Sequence, residues 1–373
     1  MIADKWSLKM RAHGVYTARP RINKEREMDF ALFSHIPWPE QYTPRGLYSD
    51  LTEQATVGEE LGFKAVWLAE HHFTRYGLGA SSLIIASNIA ARTERIRLGT
   101  AVLIPPLHHP VRLAEDTATL DVLSDGRLDV GFGRGAASSE YVNFGIDHAE
   151  SQARYRETIE MVEALWTNRD YTFEGEYHTV KHVNLVPTPL QNPHPPVYVA
   201  ATRSAESLDF VASTGRRLIV GVVLNTDDAV DLMQRYLRMS EDAGYGVSAS
   251  EVPFFRYFYV AETEEQAHRE AREALNWTLD LNTWRREFSV GSEVYQPMAE
   301  YLNRRTELPP SYEYLADNRA FIGSPDQCAA KIQALHDAGV RYFGCNFAFG
   351  GMDQGKQLKS MELFAKEVMP RFQ

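Results

Sequence analysis

Residues 96–135, IRLGTAVLIPPLHHPVRLAEDTATLDVLSDGRLDVGFGRG, hold the unit on which the fold turns. The apolar run IRLGTAVL at 96–103 reads as a strand. The stretch 111–123 carries the amphipathic pattern of a helix, and RLDVGFG at 127–133 reads as a second strand bounded by turn residues. Strand, helix and strand in that order form a βαβ unit, which builds a parallel sheet.

The same alternation recurs on both sides of this unit. Strand-like runs lie at 28–33, 65–69, 197–200, 218–224, 254–260 and 341–348. Helical patterns lie at 49–61, 81–93, 152–166, 204–214, 227–243, 264–280, 325–338 and 356–369. Eight strand-like runs in one chain favour a closed (β/α)8 TIM barrel of the α/β class over an open doubly wound sheet. A dinucleotide-binding sheet should follow its first strand with G-x-G-x-x-G, but here Phe33-Ser34-His35 follows and the fingerprint is absent. Residues 281–322 break the alternation with few helical signals and are expected to form an insertion near the C-terminal mouth, a lid. Residues 28–373 thus read as one barrel domain. Residues 1–27, rich in Lys and Arg without a following apolar stretch, read as a poorly ordered basic arm.

Composition narrows the function. The 373 residues are 44% hydrophobic and 24% charged, as in a soluble globular protein, and no apolar run is long enough for a spanning helix. A net charge of -11 argues against nucleic acid as the main ligand. Two cysteines, Cys328 and Cys345, cannot make a disulfide framework, so a cytoplasmic location is the expectation.

Three strand ends carry chemistry. Glu70-His71-His72-Phe73 follows the second strand, where a barrel places its active site. A histidine there either moves protons near neutral pH or is satisfied by neighbouring backbone. Adjacent His71 and His72 diverge on an extended chain, as do His108 and His109, and no zinc-type spacing exists, so no metal is expected. Arg134, in Gly131-Phe132-Gly133-Arg134-Gly135 after the fourth strand, suits a phosphate or a surface carboxylate. Arg203, Ser204 and Ser207 open the helix after the fifth strand, as phosphate donors or as an ordinary N-cap. No G-x-S-x-G elbow or paired carboxylates at strand ends appear, so the pattern suits a cofactor enzyme.

Six collinear stretches add a family likeness. They are WLAEHHFTRYGL (67–78), LGTAVLIPPLHHPVRLAEDTATLDVLSDGRLDVGFGRG (98–135), VNFGIDHAES (142–151), PVYVAATRSAES (196–207), IGSPDQCAAKI (322–332) and SMELFAKEVMP (360–370). From about Met28 to its end the chain resembles the bacterial luciferase-like flavin monooxygenases, nearest in pattern to the luciferase alpha-type chains without being a luciferase. The resemblance implies a barrel that binds reduced FMN from a separate NAD(P)H:flavin reductase. The reduced flavin captures O2 as a hydroperoxide and oxygenates a small apolar organic substrate, an aldehyde or ketone among the candidates. It implies His71 as the catalytic histidine, Ala101 and Val102 as a cis-linked pair beneath the flavin ring, and Arg134 with Ser204 and Ser207 at its phosphate. It also implies a homodimer in which His109 of one chain meets Glu115 of the other. Two departures stand out: Gly133 occupies the position of luciferase's reactive cysteine, and Gln152 stands where the family often has a phosphate arginine, which Arg154 or Arg156 could replace. A deazaflavin-dependent oxidoreductase on the same fold and a non-catalytic flavin-binding protein are the alternatives. Trp284, Phe288, Tyr295 and Tyr301 in the insertion read as contacts for a ring-containing substrate or as packing.

Overall fold

The computed structural model describes residues 27–202 and 204–373. All of the expected basic arm except Glu27 lies outside the described residues, as does Arg203.

In chain order the strands are β1 (Asp29–Ser34), β2 (Ala65–Leu68), β3 (Arg97–Thr100), β4 (Leu128–Phe132), β5 (Tyr171–Glu174), β6 (Thr179–Val183), β7 (Val197–Ala200), β8 (Arg217–Ile219), β9 (Phe254–Val260), β10 (Ala320–Gly323) and β11 (Tyr342–Asn346). The helices are α1 (Pro44–Glu60), α2 (Ser82–Ala90), α3 (Pro110–Leu123), α4 (Ser138–Asn143), α5 (Ser151–Thr167), α6 (Ala205–Ala212), α7 (Thr226–Asp242), α8 (Glu264–Trp284), α9 (Met298–Arg304), α10 (Tyr312–Asn318), α11 (Pro325–Asp337) and α12 (Gln354–Glu367). Among the described residues no helix is long and apolar enough to cross a membrane.

Nine strands form one parallel sheet in the order β10-β9-β11-β1-β2-β3-β4-β7-β8. The sheet curls. A bridge between Val220 and Phe254 brings the edge strand β8 back to β9, with Val220 N donating to Pro253 O at 3.0 Å and Phe255 N to Val220 O at 2.9 Å. The fully buried Arg256 spans the same seam, its Nη1 donating to Gly221 O and Phe255 O while the guanidinium lies 4.2 Å over the Phe254 ring.

Burial on both faces explains why these strands read as continuous apolar runs rather than clean alternations. Along β1, Phe30 and Leu32 pack outward with the helices, whereas Ala31 and Phe33 face the inner cluster with Trp67, Tyr198, Phe255, Tyr257 and Tyr342. Large rings fill the inside only because glycines leave room for them. A Cβ on Gly99 would fall 2.2 Å from Trp67 ring carbons.

One expectation needs correction. Residues 281–322 are not a structureless insertion. α8 runs on to Trp284, a 3-10 turn follows at Arg285–Glu287, and α9, α10 and β10 complete the segment. Helices of seven residues are too short to show a 3.6-residue period in sequence. The β5–β6 hairpin was also illegible as strands, because most of its residues are at least partly exposed and it lacks an apolar run.

Part of the 281–322 segment is tied to the loop after β2. Glu293 accepts from Thr74 Oγ1 at 2.5 Å and from Arg75 N at 2.7 Å, Arg75 Nε donates to Val294 O at 2.8 Å, and Glu40 pairs with Arg75 and accepts from Met298 N. Trp284 is buried and stacks on Tyr301 with ring centres 4.8 Å apart, so both are packing residues, while Tyr295 is exposed.

Gly99→Ala should therefore overpack the inner layer. We expect a loss of about 1–3 kcal/mol in unfolding free energy, read from urea midpoints at constant m-value. An unshifted midpoint would show that Trp67 can move aside freely.

Candidate active site

All nine strands of the curled sheet run parallel, so the loops after their carboxyl ends gather on one face. One cluster comes from β11, β1 and β2, which are consecutive in the sheet. His71 lies three residues beyond the end of β2, in the loop that follows it. Its ring meets Tyr76 edge-on at 4.7 Å and lies nearly parallel to His35 at 6.0 Å. Tyr76 and His35 are joined through Oη and Nε2 at 3.1 Å, and His35 Nδ1 lies 3.3 Å from Asn346 Nδ2. Arg285 covers the Tyr76 ring from the following segment, 4.2 Å from its centre.

The charge partner of His71 is Glu140, on α4. Its Oε1 lies 3.5 Å from His71 Nδ1, a charge contact too long for a good hydrogen bond, and Nδ1 is buried without a hydrogen-bond partner. Glu140 also accepts from His72 N–H at 3.0 Å. Burial lowers the His71 pKa from its ordinary value; Glu140 works against this and Arg285 adds to it. Burial alone would raise the Glu140 carboxyl, but His71, the His72 N–H and Arg285 together hold it below its usual value. His35 is depressed further, by burial and then by His71 and Arg285. A neutral imidazole at neutral pH, with a carboxylate beside Nδ1, favours the Nδ1–H tautomer and leaves Nε2 free to take a proton.

His72 turns the other way. Its Nε2 lies 2.9 Å from Glu70 Oε1, and His108 Nε2 lies 2.8 Å from the same oxygen. The second oxygen, Oε2, accepts from Ile104 N–H at 3.1 Å. Burial would raise the Glu70 carboxyl, but the two histidines hold it down at about 2, and Glu70 in turn raises His108. His109 is directed elsewhere, with its ring edge-on to His178. Among the described residues, no group of histidine, cysteine and carboxylate side chains could hold a metal ion.

The second cluster lies where β4 and β7 end side by side, Phe132 opposite Val199. Arg134 is exposed two residues past β4 and, among the described residues, has no ion pair, while its carbonyl accepts from Tyr141 Oη. Ser204 caps α6, accepting from Ser207 N at 3.3 Å. Arg156 Nη2 pairs with Glu206 of the same helix at 2.6 Å, so it stands at this cluster. Arg154 leaves it, pairing with Glu150 and stacking on Tyr177 at 4.2 Å. Of Arg154 and Arg156, only Arg156 is brought to the start of α6. The Ala101–Val102 peptide is cis. A Cβ on Gly133 would fall 2.3 Å from Val102 Cγ2, so the glycine is what admits Val102, and a cysteine would collide with it.

Several of these groups had no sequence signal. Glu140 sits on a six-residue helix, and His35, Tyr76 and Asn346 become neighbours only because their strands are adjacent. Glu70, Tyr76 and His35 stood in stretches quoted from the sequence, but only their packing shows that they belong together.

Residues 28–342 match the model of the family described as luciferase-like monooxygenase. The oxygenase component of flavin-dependent trigonelline monooxygenase from Acinetobacter baylyi is 28% identical over 351 residues, covering 92% of this chain and 96% of that protein. The structure of monooxygenase RslO1 from Streptomyces bottropensis superposes with a TM-score of 0.81 at 26% identity, covering 93% of this chain and 100% of that one. The oxygenating constituent of 3,6-diketocamphane monooxygenase from Pseudomonas putida, a type II Baeyer-Villiger enzyme solved with FMN, shares the fold with a TM-score of 0.77 at 21% identity, over 93% and 99% of the two chains.

The Glu70 pairings set a pH dependence. Glu70 is depressed, so its contribution to stability is full above the ordinary carboxyl value of 4.5 and is lost as pH falls toward about 2. His108 is raised, so its share is full below 6.5 and is lost as pH rises through its folded value. The stability gap between wild type and Glu70→Gln should be widest between those limits and shrink below pH 4.5, as measured by urea unfolding across pH. A gap that does not change with pH would mean that Glu70 contributes by shape alone.

Proposed function

Because the chain belongs to the luciferase-like monooxygenase family, and is on that ground a flavin-dependent monooxygenase, we propose that it is the oxygenase component of a two-component system. It takes reduced FMN from a separate NAD(P)H:flavin reductase and oxygenates a small organic substrate, an aldehyde or ketone among the candidates. The observation that carries this reading is one mouth with two unlike halves. One half is a buried histidine–carboxylate cluster. The other is an uncommitted arginine beside a capped helix N-terminus.

The residues present fit FMN. Arg134, Ser204 and Ser207 are the groups to hold its phosphate at the positive end of α6, with Arg156 adding charge and Arg203 expected beside them. Gly133 and Val102 form a close-packed floor next to Ala101. The bound reduced flavin supplies two electrons to O2, so that one oxygen atom enters the substrate and the other leaves as water.

The protein binds, shields and moves protons. His71, held neutral by burial and oriented by Glu140, takes or returns a proton at Nε2. Tyr76 and His35 keep its ring in place, and the segment tied down through Glu293 acts as a lid that keeps water from the mouth. In this reading the eight strands other than β10, which pairs only with β9, form the (β/α)8 barrel of the family, with that lid at its C-terminal mouth. Subunits pair through α2 and α3, where Ile84, Val122 and Leu123 are exposed apolar side chains.

Paired variants test the division of labour. His71→Ala should cut coupled oxygenation by about 10²–10⁴-fold and leave FMN binding nearly intact. Arg134→Ala should weaken FMN affinity by about one to two orders of magnitude, the range for losing a charged hydrogen bond. Flavin titration and product yield with an added reductase read both, and full turnover by His71→Ala would make the histidine structural. Light scattering at micromolar concentration should give a dimer mass, and a monomer would remove the α2–α3 interface.

A further inference from the structure

A cavity of about 340 Å³ lies between the loop after β2, the start of α4 and the 3-10 turn after α8. Its walls include His72, Phe73, Ser138, Glu140, Arg285 and Phe288. Glu140 connects it to His71, and Arg285 connects it to Tyr76.

The charges on this wall are unevenly satisfied. Glu293 is taken by Thr74 and Arg75. Arg286 is taken by Glu307 at 2.8 Å, and Glu140 accepts from the His72 N–H and faces His71. Arg285 alone is left over. Among the described residues it forms no ion pair, its Nη1 is buried without a hydrogen-bond partner, and its flat face rests on Tyr76. An unpaired, partly desolvated guanidinium is costly unless something completes it, and its fork geometry matches a carboxylate. The position is not that of the flavin phosphate. Arg134 and Ser204 follow β4 and β7, whereas Tyr76 and His35 follow β2 and β1, on another sector of the sheet.

We propose that Arg285 is the receptor for a carboxylate carried by the substrate, which makes the substrate class a flat, ring-bearing organic acid. The proposal rests on the monooxygenase reading and narrows its substrate. The acid group docks on Arg285, the ring lies against Phe73, Phe288 and His72, and the reacting carbon faces the His71 side of the cavity. Phe73 suits this role, since it lines the cavity and is a large apolar side chain left exposed. Such a site discriminates strongly, because a neutral analogue leaves the arginine unpaired.

Benzoate and benzamide are the probes, matched in shape and differing in charge. Calorimetric titration of the full chain, with and without FMN, should show benzoate binding more tightly than benzamide. Arg285→Gln should lose at least about tenfold in benzoate affinity with benzamide unchanged. Arg285→Lys should keep part of the preference and guards against a folding defect, and Arg272→Gln, an exposed partner of Glu313, should match wild type. No preference for benzoate in the wild type, or an unaffected Arg285→Gln, overturns the proposal. So does a variant that keeps benzoate but loses reduced FMN, which would assign Arg285 to the flavin. The readout is heat and not turnover. Arg285-dependent benzoate binding in a protein that never consumes O2 with reductase present would therefore sink the monooxygenase reading and leave this site standing.

Discussion

The mouth of this protein depends on one buried carboxylate. Glu70 is 2% exposed, and its two oxygens hold His72, His108 and the Ile104 N–H, while its own N–H donates to Val102 O at 3.3 Å. The loops after β2 and β3 are thereby tied together. A carboxylate this deep is tolerable only when all its neighbours are donors, and here they are. The tie has two consequences. Drawing His72 toward Glu70 leaves His71 to face the opposite side, and fixing Val102 keeps it over Gly133.

Electrostatic economy runs through the rest of the sheet. Arg97 pairs with Asp129, Arg216 with Glu163 and Arg217 with Glu251, so the arginines along β3 and β8 are committed to the scaffold. Arg134 and Arg285 are not. Both stand at carboxyl ends of the sheet, on different sectors of the same face. In an acidic chain, cations left over at a mouth define where anions go. On the proposed reading one sector takes the flavin phosphate and the other an anionic substrate, with His71 between them.

The sequence showed the frame of the fold with small errors. Each of the eight expected strand runs overlaps an observed strand, from β1 to β11, and β9 matches residue for residue at 254–260. Strands buried on both faces must be apolar along their length, so they are visible in one dimension. The hairpin β5–β6 and the short helices α4, α9 and α10 were invisible for the opposite reason. Their residues gain little from burial in a regular pattern, and seven positions are too few to establish a period.

The sequence by itself determined the order of strands and helices, and so which loops form the mouth. It singled out His71, Arg134 and the Ser204 cap, because each lies directly after a strand or at the start of a helix that follows one. Only the tertiary structure decided how these groups are charged and aimed. His71 is neutral because burial outweighs Glu140, a residue 69 positions away in the chain and 3.5 Å away in space. Arg285 is left unpaired because the carboxylates near it are bonded elsewhere, and this depends on the packing of three loops. Burial and pairing are properties of neighbours, and the curl of the sheet chooses the neighbours.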